Sequence, residues 1–154
     1  MKNSVIRYGT YGLVFALVVF LSVLYFGQGM EFSTQEVIGY VTMTTSLLFI
    51  YFGIKHFRDK ENNGELGFGK AMSIGLLISV FTGIGVAIAD FIYTTTINPE
   101  FFEQYKAVMR SQGYEGEIPE YSSGFMSFIM FVTVMIIGLV ISLISALMLQ
   151  RKNH

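Results

Sequence analysis

Apolar residues run along this chain in four long blocks separated by polar segments. Charged side chains are absent from Tyr8 to Met30, from Val37 to Ile54, from Ala71 to Ala89 and from Tyr121 to Gln150. Each block approaches or exceeds the roughly 20 residues that a helix needs to cross a hydrocarbon core of about 30 Å. The blocks are continuously apolar and do not alternate, so spanning strands are excluded. An open sheet edge in lipid would also leave backbone groups unpaired. The pattern predicts an all-α membrane protein, a single domain over 1–154. Its four transmembrane helices fall at about 8–27, 34–55, 69–93 and 124–150, with a loop over 94–123 between the third and fourth.

Polar positions refine these boundaries. Ser33 and Glu36 have capping-box spacing at the start of the second helix. Tyr8, Tyr11, Tyr25, Tyr51, Tyr93 and Tyr121 fall near the expected membrane interfaces, where tyrosine and phenylalanine serve as the aromatic belt in a chain without tryptophan. Within the loop, "NPEFFEQYKAVMRSQG" predicts a short amphipathic helix with Asn98 as N-cap, Pro99 in the first position, Glu100 near the positive dipole end and Gly113 as the stop. Phe101, Phe102, Tyr105, Val108 and Met109 give it one broad apolar side, suited to a membrane surface or to the mouth of the bundle.

Composition agrees with the pattern. Of 154 residues, 53% are hydrophobic and 14% charged, with a mean hydropathy of +0.56, too apolar for a soluble domain of this size. The charges are segregated. Lys2, Arg7, Lys55, Arg58, Lys60, Lys70, Arg151 and Lys152 fall on one side of the four spans, and only Lys106 and Arg110 on the other. This asymmetry predicts a multi-pass protein with both termini and the central loop on the cytoplasmic side of the membrane. The opposite side carries Glu31, Glu36, Glu100, Glu103, Glu115, Glu117 and Glu120. The first block follows Lys2 and Arg7 as a signal peptide would, but it runs from Tyr8 through Phe26. Signal-peptide cores are about 7–15 residues long, so a retained helix is expected.

Small residues indicate how the helices pack. Ala71, Gly75, Ser79, Gly83 and Ala87 recur every four residues along the third helix, which permits close approach of a neighbour. Gly138, Ser142 and Ala146 form a shorter counterpart on the fourth, and Gly12 and Ala16 on the first. Gly39, Ser46 and Gly53 are seven apart on the second, a spacing suited to left-handed packing. The methionines of the fourth helix, Met126, Met130, Met135 and Met148, fit adaptable packing.

Candidate chemistry is sparse. Gly64, Gly69 and Lys70 have the outline of a phosphate loop, but Ala71 replaces the magnesium-binding hydroxyl and no strand precedes the glycine. Nucleotide and nucleic-acid binding are not expected. Asn62, Asn63 and Gly64 fit a turn instead, with Phe68 at the interface and Lys70 opening the third helix. Lys55, Arg58, Lys60 and Lys70 are the candidate contacts for anionic lipid or a cytoplasmic partner. Without cysteine there are no disulfides or thiolate sites. The two histidines, His56 and His154, lie in polar segments, so paired haem ligation within the bundle, a metal site and any other cofactor are not expected. No serine, histidine and acid grouping points to hydrolysis. Asp90 is the one acidic residue embedded in a helix block. It lies roughly 28 Å along the helix from Ala71, close to the far interface, with a neighbouring helix or Arg110 as expected partners. Intramembrane carboxylates also mark ion pathways.

The stretch "YFGIKHFRDKENNGELGFGKAMSIGLLIS", Tyr51 to Ser79, together with the Asn98-Pro99-Glu100-Phe101 run, resembles a family of small bacterial integral membrane proteins catalogued as domain of unknown function 4199. The resemblance covers most of the chain. It implies a four-helix inner-membrane protein and carries no catalytic residues over; an association of the family with membrane glycosyltransferases would fit an accessory role in polyprenyl-linked glycan assembly. Two functions are therefore expected to compete. One is a non-enzymatic accessory or scaffold subunit that contacts membrane lipid or a membrane-protein partner. The other is a small homo-oligomeric proton-coupled transporter with Asp90 as the coupling carboxylate.

Overall fold

A computed structural model describes residues 1–151; Lys152 and His154 lie outside the described residues. The described chain is helical, and four of its stretches are long and apolar enough to cross a membrane: Lys2–Phe26, Phe32–Glu61, Phe68–Ile97 and Ser123–Leu149. The first is a single helix, α1 (Lys2–Phe26).

The second departs from the expected uninterrupted helix over 34–55. It begins earlier, consists of α2 (Phe32–Ser46) and α3 (Phe49–His56), and ends in one wide π-type turn over Phe57–Glu61. The break at Leu47 and Leu48 has a local cause. The hydroxyls of Thr42, Thr45 and Ser46 each donate to the carbonyl four residues back, at 2.8 Å, and such back-bonding loosens and bends a helix. The Leu47 amide is shared between the carbonyls of Met43 and Thr44. Ser33 and Glu36 do not form a capping box either. The helix starts at Phe32 with Glu31 as its N-cap and no side-chain cap, which places both residues inside the first turns.

The third span is α4 (Phe68–Ile92), continued by a second π-type turn over Tyr93–Ile97. Asn98 closes that turn, its amide donating to the Tyr93 carbonyl at 2.7 Å. The loop helix α5 covers Phe101–Ser111. Its N-cap is Glu100, not Asn98, because the Asn98 side chain is occupied by Tyr93 and Gln104. Gly113, at φ +90°, ends the helix in the left-handed conformation that glycine adopts without strain. The fourth span, α6 (Ser123–Leu149), is capped by the Ser122 hydroxyl, which accepts from the Phe125 amide.

Helix α4 is the centre of the bundle, buried along much of its length between α1 and α6. Against α6 it packs antiparallel. A Cβ on Gly75 would collide with Ser142, and one on Gly138 with Ser79. Four residues forward along α4 is thus matched by four residues back along α6. Ala71 and Ala146, one further step in the same register, are both fully buried. Gly83 meets the Phe131 ring, and Ala87 is half-buried.

Against α1, α4 packs in parallel through a second set of small residues. Gly12 faces Thr82, Gly9 faces Phe81, and Gly85 lies against the backbone of Leu13, where an added Cβ would come 2.5 Å from the carbonyl oxygen. Gly39, Ser46 and Gly53 do not form one seam. Gly39 faces Phe20, Ser46 is buried, and Gly53 sits on the other side of the helix break, against Ile78 and Tyr8.

The Gly85 contact is backbone against side-chain space, so relief would require moving a helix. Gly85→Ala is expected to destabilise the protein by about 1–3 kcal/mol. Gly69→Ala, where nothing lies within 4 Å, should be neutral or stabilising by up to about 1 kcal/mol. Thermal or SDS unfolding in lipid–detergent micelles separates the two; equal effects would mean that α1 and α4 do not cross at Gly85.

Candidate functional site

The N-terminus of α1, the 57–66 segment, the start of α4 and the end of α6 meet at one end of the bundle. Backbone pairing fixes this end: Leu66 and Arg151 exchange two hydrogen bonds, at 2.7 and 2.8 Å. The turn that returns the chain to α4 places Asn63 at φ 53° and Gly64 at φ 82°, and the Gly64 amide donates to the Arg58 carbonyl at 2.7 Å.

The four sequence-selected cations sit here with different roles. Arg58 is engaged. Its Nε donates to Asp59 Oδ1 at 2.7 Å and its Nη1 to the Leu149 carbonyl at 3.3 Å. A cation at that position satisfies one of the orphan carbonyls that end α6 and complements the helix dipole. Lys70 is exposed, and its ammonium lies 5.7 Å from the centroid of the buried Phe57 ring. Lys55 and Lys60 are exposed. Lys2, Arg7 and Arg151 add exposed cations at the same end, Arg7 donating to the Tyr11 hydroxyl at 3.1 Å.

Beneath this surface lies a polar cluster that sequence spacing did not reveal. Ser4, fully buried, donates to Glu61 Oε1 at 2.7 Å and is 2.9 Å from His56 Nδ1. A serine hydroxyl has one proton, and the carboxylate takes it in this hydrogen bond. His56 must therefore donate from Nδ1 to Ser4. That polarity is opposite to a Ser-His hydrolytic pair, in which the imidazole accepts the serine proton. The cluster joins α1 to the end of α3 and the 57–61 turn, and Ser4 stands more than 50 positions from both partners.

Asp90 lies near the opposite end, 8% exposed, and accepts a hydrogen bond from Ser127 of α6 at 3.2 Å. Arg110 is not its partner. The Arg110 guanidinium donates instead to the Tyr114 carbonyl at 3.1 Å, within the loop that follows α5. Ser127 continues the antiparallel register of α4 and α6. From Ser79 to Asp90 is as many positions as from Gly138 back to Ser127, so Asp90 belongs to the same packed seam as the small residues. The described residues include no group of three or more side chains placed to hold a metal ion.

The fold and its sites define the class as an all-helical protein with four candidate membrane spans. Within that class the chain belongs to the family described as protein of unknown function DUF4199, which matches residues 7–151. No curated protein and no solved structure matches it.

Removing the Ser127 hydroxyl leaves a buried carboxylate without its donor. Ser127→Ala is expected to cost about 1 kcal/mol in unfolding free energy. Addition of Asp90→Leu to that variant should recover most of the loss, since both polar partners are then gone. SDS-titration unfolding of the single and double variants checks this; an additive double variant would mean that the two groups do not interact.

Proposed function

We propose that this chain is a non-enzymatic accessory or scaffold subunit of the bacterial inner membrane, with both termini cytoplasmic and its basic end held against anionic lipid headgroups. The observation that carries this reading is the state of the cations at the two ends. At the α1/α6 end, Lys55, Lys60 and Lys70 project exposed ammonium groups, while Arg58 is committed to Asp59 and Leu149. At the α5 end, Lys106 is paired with Glu103 and Glu120, and Arg110 is bonded to the Tyr114 carbonyl. Juxtamembrane lysines gain roughly 1 kcal/mol each from an anionic leaflet. The apolar outer faces of α1, α2 and α6, including Val14, Val18, Val41, Ile136, Val140 and Ile144, suit acyl chains or the spans of a membrane-protein partner.

The triple variant Lys55→Gln, Lys60→Gln, Lys70→Gln is therefore expected to lose roughly 3 kcal/mol of attraction to anionic lipid, about a 100-fold change. Native mass spectrometry of the protein released from membranes containing phosphatidylglycerol reads this as loss of retained anionic lipid. Unchanged retention would sink the lipid reading. Retention of a stoichiometric membrane protein that the triple variant releases would replace the lipid with that partner.

A second reading rests on Asp90, a buried carboxylate between two candidate spans with one hydroxyl donor. In it the chain is a homo-oligomeric proton-coupled transporter. Asp90→Asn then abolishes proton-coupled flux in proteoliposomes while assembly persists; flux that survives the substitution removes Asp90 from the mechanism.

A further inference from the structure

At the α5 end, the turn after α1, the first residues of α2, the turn after α4 and the start of α5 border a half-open cavity of about 430 Å³. Its size falls in the range of small-molecule sites, about 300–1,000 Å³. Gln28, Gln35, Asn98 and Gln104 contribute side-chain amides to its walls, Phe32, Phe101 and Tyr93 contribute rings, and Met30 adds an apolar side chain; no charged side chain lines it among the described residues.

The amides are only partly used by the protein. Asn98 donates to the Tyr93 hydroxyl at 3.2 Å and to Gln104 Oε1 at 3.1 Å. This leaves the Asn98 oxygen and the Gln104 nitrogen for a ligand, above the buried Tyr93 ring. Gln35 directs its nitrogen to the carbonyls of Gly27 and Met30, at 2.9 and 3.0 Å, which leaves its oxygen as an acceptor. Gln28 is exposed at the rim.

Such a lining selects among ligands. A charged molecule would enter without a counter-charge. An acyl chain would leave the amides unpaired. A flat base needs a parallel slot, but Phe101 meets Phe32 at 57° and Tyr93 at 70°. A polyol ring meets each requirement. Its neighbouring hydroxyls both donate and accept, as side-chain amides do, and its C–H faces suit the negative faces of aromatic rings.

We infer that this cavity binds the hydroxyl-bearing ring of a neutral sugar, either free or as the headgroup of a glycolipid. The cavity lies at the ends of the candidate spans. It is at the opposite end of the bundle from the basic surface and does not depend on that surface binding lipid.

The test uses the full chain in nanodiscs, with two arms. Saturation-transfer NMR with glucose and N-acetylglucosamine reads free sugar, and native mass spectrometry of nanodiscs containing monoglucosyldiacylglycerol reads the glycolipid. Gln28→Leu and Gln104→Leu, both at exposed positions, should each leave the unfolding temperature unchanged and weaken binding at least tenfold. Glycolipid retention with no free-sugar signal assigns the headgroup source, and a free-sugar signal assigns the soluble source. Absence of both, or binding that neither substitution weakens, overturns the inference.

Discussion

Helices in lipid have little hydrophobic reason to associate, because an acyl chain solvates leucine as well as another leucine does. What holds this bundle together is therefore the distance of closest approach between backbones, and α4 sets it on two sides. Gly75 and Ser79 admit α6 through Ser142 and Gly138, while Thr82 and Gly85 admit α1 at Gly12 and Leu13. Both contacts depend on missing side-chain atoms, and α2 and α3 fill the space that remains. Ser142, buried with no hydrogen-bond partner among the described residues, shows how tight the seam is: its position is fixed by fit against Gly75.

The two ends of the bundle are finished differently. At the basic end, hydrogen bonds lock segments distant in sequence, through Ser4 with Glu61 and His56, Arg58 with Leu149, and Leu66 with Arg151. This fixed scaffold presents lysines whose ammonium groups remain exposed. At the other end, contacts between rings dominate. Phe101 touches both Phe32 and Tyr93, and Tyr105 touches Phe32. These rings tie α5 to α2 and to the end of α4 without charge, and the amide-lined cavity opens beside them.

Asp90 links these descriptions. It is polar, yet it occupies the α4–α6 seam in the same register as the glycines, and Ser127 supplies its hydrogen bond. A buried carboxylate with a donor on the facing helix fixes the relative height of two helices that small residues alone would allow to slide.

The helical class, the four apolar stretches, the segregation of charge and the turn at Asn62 to Gly64 were legible in the chain, because these follow from runs of neighbouring residues. Each reports on local hydropathy or local backbone freedom, which need no partner. The spacing of Gly75, Ser79, Gly138 and Ser142 marks them as small faces, but not which stripe faces which. Contacts between distant segments set the second small face at Gly85, Ser127 as the partner of Asp90 in place of Arg110, the Ser4 cluster and the cavity beside α5. The break at Leu47 is local but depends on hydroxyls choosing backbone carbonyls, which hydropathy does not report, whereas the other cases depend on residues brought together from far along the chain. A one-dimensional pattern carries the face a residue can present, and folding alone sets what stands opposite it.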